Sequence, residues 1–491
     1  MAINFIPNDP KAGSTAPGIR QQPKRKNRPT SKASFTFAGS IAEGTFNPGT
    51  PQFLFWQSRE AALAAVEAFE GAVGPHKKWQ GNRKKLALLP DAGEDLNAFY
   101  DRSTFSFFHK TVHGTTFFSG ESTDVVSHEV GHGLLDSVRP ELFEVNFLEV
   151  GAFHEAFGDC TALLTALGDK DIRQKLLAVT STLLKRNFVE STAEELSGAI
   201  GLLVPGHNAS EPRHAFNTFE FQLPQTLPDD GGPGALIDEV HSFGMVFTGC
   251  FWDTLANMFA AASAKTEAAL LSTARTLYEI VVAGVKTAVV TPRFLQSVGR
   301  AMVLADQSLH AAANRDHIRN AFQKHNILLG TNTMVAPSMA LAGAAPKGAS
   351  LGAATRKDLL DRLGSKRGAT LSVSSADVFG TKMSEAVHKR EVPLGDLDKS
   401  LKGVVAIGYE ATMVGSSGRR AAVMGAIPQS ADTESEVRAF VKSLLEHDRI
   451  EVGKAKKSAV ASSKQFGQAT HAIKSVGGKR VLQRVGFQCG K

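Results

Sequence analysis

Apolar residues recur at helical spacing through most of the middle of the chain and at strand-like spacing only in short stretches. Ala61, Ala64, Ala65, Phe69 and Ala72 predict an amphipathic helix over residues 58–72, entered through the apolar run Phe53-Leu54-Phe55-Trp56. From 85 to 118 the period shortens. Leu86-Ala87-Leu88-Leu89, then residues 105–108 and 115–118, read as strands separated by turn residues. Ser122-Thr123-Asp124 ahead of Val125-Val126 has the capping chemistry of a helix start, and Pro140 closes that helix. Beyond it the pattern predicts helices over 152–167, 171–184, 192–202, 242–262, 266–286, 291–309 and 315–325. A polar loop dense in Pro, Asn and Gly spans 206–234, and a loop of that length inside a compact domain is usually functional.

The ends differ in character. Residues 1–50, rich in Pro, Ser, Gly and basic residues, read as a basic, mostly disordered arm. Residues 331–355 are rich in Ala and Gly, with Ser and Pro, and read as a linker. Residues 356–491 read as a small α+β unit with a basic tail: a helix over 356–363, strands near 404–406 and 421–424, and a helix over 434–445. The main domain is therefore 51–330, in two lobes of about 51–138 and 139–330.

Composition narrows the class. With 42% apolar residues in 491, the chain can bury a large core in several folding units. No apolar run is long enough to span a bilayer, the best (245–264) being broken by Asp253. The amino terminus lacks the charged-then-apolar layout of a signal peptide, so the default compartment is cytoplasmic, with leaderless export left open. Cys160, Cys250 and Cys489 are scattered and form no disulfide framework or metal-type spacing. The net charge of +7 comes from the ends, since residues 452–491 carry nine Lys or Arg and no Asp or Glu. That tail has only Phe466 and Phe487 for stacking and no reader motif, so nucleic acid is not an expected partner. Gly477-Gly478-Lys479-Arg480 lacks the glycine spacing of a phosphate loop.

The stretch with the most chemistry is Ser127-His128-Glu129-Val130-Gly131-His132. Four residues apart on a helix, His128 and His132 project from one face and can bind one ion, with Glu129 beside them to hold a water. A catalytic zinc takes three protein ligands and keeps a fourth position open. A third histidine at short spacing would fall on Val138, which leaves a glutamate on a following helix. Glu155, in Gly151-Ala152-Phe153-His154-Glu155-Ala156-Phe157-Gly158-Asp159, supplies one. Asp159, one turn further on, can orient an imidazole. A solvated acidic helix face is the plain alternative, and the apolar neighbours argue against it.

These segments, with Asn97-Ala98-Phe99-Tyr100 before them and Val240-His241-Ser242-Phe243-Gly244 after, resemble a thermolysin-like (M4-type, gluzincin) zinc metallopeptidase in the family's own order. The ending Ile318-Arg319-Asn320-Ala321-Phe322 resembles the family's last helix, so the likeness covers about residues 53–329. The resemblance implies an α+β fold with a β-containing amino-terminal lobe and an α-helical carboxy-terminal lobe, here followed by a carboxy-terminal α+β extension. It implies one zinc on His128, His132 and Glu155, with Asp159 behind them. Glu129 would be the general base towards the zinc-bound water, and His241, oriented by Asp238 or Glu239, would stabilise the oxyanion. Asn97 and Ala98 would hold a peptide or protein substrate in extended form, and Arg213 would contact its carbonyl beyond the cut. Val125 and Val126 suggest an apolar side chain there.

Departures from the family are equally specific. The position of its second oxyanion donor, a tyrosine, falls near Asn146, which leaves His154 or another group to substitute. Asp124 matches one residue of the family's double calcium site, but the acidic partner expected eleven residues after Glu155 is Ala166, so calcium is not expected. No long pro-segment precedes the domain, and the carboxy-terminal unit is where a latency device would lie. The sequence thus predicts a zinc metalloendopeptidase; the alternatives are a catalytically silent zinc scaffold and a basic-arm binding protein.

Overall fold

The computed structural model describes residues 2–26, 28, 32–37, 39–180, 182–330, 351–363, 365, 369–378, 381–417, 420–424, 430–451 and 469–489. It is a mixed α+β architecture: a helical body, a five-stranded sheet against its amino-terminal helices, and a seven-stranded sheet built by the later part of the chain. The predicted linker lies almost wholly outside the described residues.

Three long helices form the centre. The motif helix, Thr123–Val138, is capped by the Ser122 side chain, which accepts from the Val125 amide at 3.2 Å. It ends before Pro140, whose ring begins a short 3-10 turn. Against it lies Leu148–Gly168, the glutamate helix, and against that Val240–Ala261, which carries His241 at its first turn. All three are buried on almost every side, the motif helix with its polar residues Asp124, His128, Glu129, His132 and Asp136 included. The motif and glutamate helices cross where both carry glycine. A Cβ on Gly131 would lie 2.9 Å from the Gly158 Cα, and one on Gly158 would lie 2.7 Å from the His128 ring. Small residues there let the two backbones approach, which is what brings His128 and His132 against Glu155. Gly158→Ala is therefore expected to destabilise the fold by ~1–3 kcal/mol through overpacking. It should also displace His128, which a titration of metal affinity would detect as a weaker site.

The five-stranded sheet runs, in spatial order, Phe487–Gln488, Ala98–Tyr100, Thr104–Phe107, Lys85–Leu89 and Ser34–Phe37. Its strand Ala98–Tyr100 is tied to the motif helix by a buried polar brace. Tyr100 donates its hydroxyl to Asp136 at 2.8 Å, and Arg102 reaches the same carboxylate at 2.7 Å. The brace fixes the distance between strand and motif helix with directional bonds in a buried setting, where they are hard to replace with water.

Two sequence-based expectations about the ends are overturned. The amino-terminal arm is folded: Ala2–Phe5 pairs with Arg20–Pro23, and Ser34–Phe37 adds in parallel to Lys85–Leu89. Its basic residues meet the acidic face of the helix Pro51–Val73, Arg25 lying 3.1 Å from Glu67 and Arg28 contacting Glu70. The cluster of charge that suggested a solvated arm is in fact half of a set of ion pairs. The carboxy-terminal part is neither small nor separate. Its seven-stranded sheet includes the unforeseen strands Ser372–Val378, Thr381–Pro393, His471–Val476 and Lys479–Arg484. The last two form a hairpin whose turn is Gly477-Gly478, both at positive φ, as a two-residue turn requires. The helices at 356–363 and 434–445 appear as Ala353–Arg362 and Ser430–Glu446, and the helix at 171–184 stops at Val179.

Among the described residues one helix, Glu267–Thr287, is long and apolar enough to cross a membrane, and half of its apolar window is buried in the body. It packs on Phe294–His310 and Pro51–Val73, as a core helix does.

Candidate functional site

His128, Glu129 and His132 leave the motif helix together and are wholly buried, with donor atoms within 4.8 Å of one another. Glu155 reaches them from the neighbouring helix. Its Oε2 lies 3.1 Å from His128 Nε2 and 3.6 Å from His132 Nε2. Each imidazole is held from behind. His128 Nδ1 is 2.9 Å from Asp159 Oδ1, and His132 Nδ1 is 2.9 Å from His154 Nδ1. With Nδ1 engaged from behind, each ring turns its Nε2 towards Glu155, the atom a metal-binding imidazole would offer.

Polar atoms in this pocket lack protein partners. His132 Nε2 and both carboxylate oxygens of Glu129 are buried without a hydrogen bond. Burial of such atoms is costly unless something else satisfies them. Two imidazoles and two carboxylates converging on one point fit a divalent metal ion and a water.

The electrostatics separate the two glutamates. Burial pushes the Glu129 pKa up to about 8. Burial also acts on Glu155, but His241, His132 and His128 outweigh it and hold that carboxyl well below its ordinary range. Its histidine neighbours thus favour the ionised form of Glu155, whereas Glu129 is able to take up and release a proton near neutrality. Burial lowers the His132 pKa to about 4, which keeps its ring neutral. His128 is pulled down by burial but raised overall by its bonds to Asp159 and Glu155. Asp159, despite burial, is held low by Arg213 and His128.

His241 stands on the far side of Glu155, with Nε2 3.1 Å from Oε2. Of the two acidic neighbours proposed to orient it, Glu239 does so, with Oε1 2.8 Å from Nδ1. Asp238 turns away to His447. Burial would lower the His241 pKa, but Glu155 and Glu239 raise it to about 10, so both ring nitrogens carry protons and Nε2 is a donor.

Arg213 is drawn inward rather than left on the surface. It donates through Nε to Asp159 at 3.0 Å, and its Nη2 lies 3.4 Å from Cys489 Sγ. The apolar lining beside it comes from Leu196, Ile200 and Met245, whereas Val125 and Val126 are packed in the core. Asn97 and Ala98 lie on and beside the strand that faces the site, and both are already engaged. The Asn97 Nδ2 donates to Gln488 Oε1 at 3.1 Å, and the Ala98 carbonyl accepts from the Cys489 amide at 2.9 Å.

Neither the position of the missing oxyanion tyrosine nor its expected substitute, His154, offers a hydrogen-bond donor aimed at the site. Asn146 bonds to the Ile407 carbonyl, and His154 faces His132 and the Phe487 ring. The acidic group around Asp124 also differs from expectation. Asp124 meets Asp9 and Glu194 rather than a residue near Ala166, with carboxylate oxygens within 4.8 Å of one another. Burial, and then the mutual repulsion of these groups, lifts Asp124 well above its ordinary range and Glu194 to about 8. Such a cluster could accept a hard cation or hold protons. Asp9 could not be foreseen in it, because its loop was read as part of a free arm.

Phe487, Gln488, Cys489 and Arg484 were also missed, although they are among the residues nearest the site. The double glycine of the hairpin was the one local signal that the tail is folded. Compared with models of known protein families and with curated protein sequences, the chain gives no significant match.

Proposed function

We propose that this protein is a zinc-dependent endopeptidase of the thermolysin-like type. The observation that carries the reading is the convergence of His128, His132 and Glu155 from two crossing helices, with unpartnered Glu129 beside them. His128, His132 and Glu155 would hold the ion, and Asp159 would fix the His128 ring. Zinc, when bound at such a site, supplies Lewis-acid activation of water and of a peptide carbonyl.

The remaining chemistry belongs to side chains. Glu129 takes up a proton at its carboxylate and later returns it to the leaving amine; its buried position suits a proton carrier. His241 donates its Nε2 hydrogen to the carbonyl oxygen as negative charge develops there, and Glu239 keeps the ring turned for that bond. The strand Ala98–Tyr100 aligns an extended peptide by backbone pairing, with Asn97 as an additional polar anchor. Arg213, locked to Asp159, stands at the side where the peptide continues past the cut, next to an apolar space suited to an aliphatic or small side chain.

The direct test is metal content by mass spectrometry beside digestion of a peptide library. The expected result is one zinc per chain and, once the site is opened as described below, cleavage before apolar residues, lost on chelation and restored by zinc. A protein that holds zinc but cleaves nothing, even with the site opened as described below, would instead be a metal-stabilised scaffold.

A further inference from the structure

The strand nearest the candidate site is the chain's own carboxy-terminal segment, and it makes the contacts that an extended peptide substrate would make. Phe487 and Gln488 pair antiparallel with Tyr100 and Phe99, and the Cys489 amide donates to the Ala98 carbonyl at 2.9 Å. Asn97 donates to the Gln488 side chain at 3.1 Å. The Gln488 carbonyl oxygen lies 2.6 Å from His241 Nε2, and the Cys489 side chain lies 3.4 Å from Arg213 in the apolar space beyond. Phe487 stacks on His154 with ring centroids 3.8 Å apart and on His132 at 4.7 Å. A strand that merely completed a sheet would need none of His241, Asn97 and Arg213.

Little room is left for anything else. Beside Glu155 and His241 there remains a space of about 20 Å³, and beside Arg213 one of about 40 Å³. Spaces of that size accommodate water, not a peptide. The first is roofed by the same part of the chain: Ser443, Leu444, Arg449, Thr470, Arg484 and Gln488 line it. The way in is also specific. The segment leaves the seven-stranded sheet at Arg484 and reaches the other sheet three residues later, at Phe487, through Gly486, where a Cβ would lie 2.1 Å from the Phe99 ring. Only glycine lets the backbone pass that ring without a shift.

We propose that residues 487–489 are an intramolecular, substrate-like occupant of the cleft, which keeps the site closed to external peptides until the segment is displaced. The Gln488–Cys489 bond is held against His241 and stays intact. The proposal rests on the cleft reading above. A short tether gives such an occupant an effective concentration in the millimolar range, so a peptide binding more weakly than that competes poorly.

The test separates occupancy from catalysis. In zinc-loaded Glu129→Gln protein, binding of a fluorescein-labelled peptide of sequence VGFQCGK is followed by anisotropy. Three backgrounds are compared: the full chain, the full chain with Gly486→Ile, and a chain ending at Arg484. Melting curves and circular dichroism establish which of these are folded. We expect no binding to the full chain and saturable binding once the segment is wedged out or removed. With Glu129 intact, the same changes should raise cleavage of a quenched peptide at least about tenfold. Binding opened without any cleavage would leave the occupant in place and defeat the peptidase reading. Peptide binding equal in the full chain and in a folded Gly486→Ile variant would overturn the proposal. So would a mass loss corresponding to residues 489–491 in the chain with Glu129 intact, absent in Glu129→Gln, since the segment would then be a substrate.

Discussion

Glu129→Gln is expected to lower kcat/KM for peptide cleavage by roughly 10²–10⁴-fold, the range for loss of a general base, while one zinc per chain is retained. Neither carboxylate oxygen of Glu129 has a protein partner, so the side chain contributes little to holding the helices together. The amide has the same shape and cannot accept a proton at useful pH. Burial already disfavours the charged carboxylate, which the neutral amide avoids, so the variant should be at least as stable as the parent. The measurement is steady-state cleavage by the Gly486→Ile chain with and without Glu129→Gln, beside metal content and melting temperature. Undiminished cleavage would remove Glu129 from the chemistry. Loss of zinc along with activity would make it a ligand instead, and the assignment of Glu155 would have to be reconsidered.

His132→Ala should abolish stoichiometric zinc and with it the stabilisation that zinc confers. A ligand that binds only the folded state stabilises by RT ln(1 + [L]/Kd), about 4 kcal/mol when free zinc is a thousandfold above Kd. The variant also loses ring contacts with His128, His154 and Phe487, so the metal-free protein will itself be weaker. The informative quantity is therefore the zinc-dependent increment in melting temperature, measured for each protein against its own chelated form. That increment should vanish in His132→Ala and persist, reduced, in Asp159→Asn, where a metal-orienting partner is weakened and affinity falls about 10–100-fold. An increment as large in His132→Ala as in the parent would put the ion elsewhere, the cluster of Asp9, Asp124 and Glu194 being the obvious place to look.

Much of the centre was legible because it is encoded locally. His128 and His132 share a face by helical periodicity alone, and Ser122 and Pro140 bound their helix through capping chemistry and a missing amide. Glu155 and Asp159 repeat the same one-turn logic on the next helix. That Glu239 rather than Asp238 turns to His241 needed the backbone. Both are acidic neighbours of the same helix start, and the choice depends on His447, more than 200 residues away in sequence, which engages Asp238. Arg213 illustrates the same limit. Its sequence neighbourhood is that of a surface loop, yet Asp159 and Cys489 draw it inward.

The chain's ends were misread for a common reason. Charge and low apolar content predict disorder only when the charges have water as their sole partner. Here Arg25 and Arg28 have the acidic face of the helix Pro51–Val73, and the tail strands have a sheet whose first strand, Ser372–Val378, lies about a hundred residues earlier. Nothing in either segment by itself reveals those partners.

The sequence alone determined the helix that carries His128 and His132 on one face and the one-turn spacing of Glu155 and Asp159 on the next helix, because each rests on spacings within one or two turns. Tertiary structure decided what lies in front of them. The pairing of residues 487–488 with residues 99–100 closes a loop of nearly 400 residues, and so distant a contact leaves no local trace: it exists only because both partners are placed by two sheets that fold around the same helices.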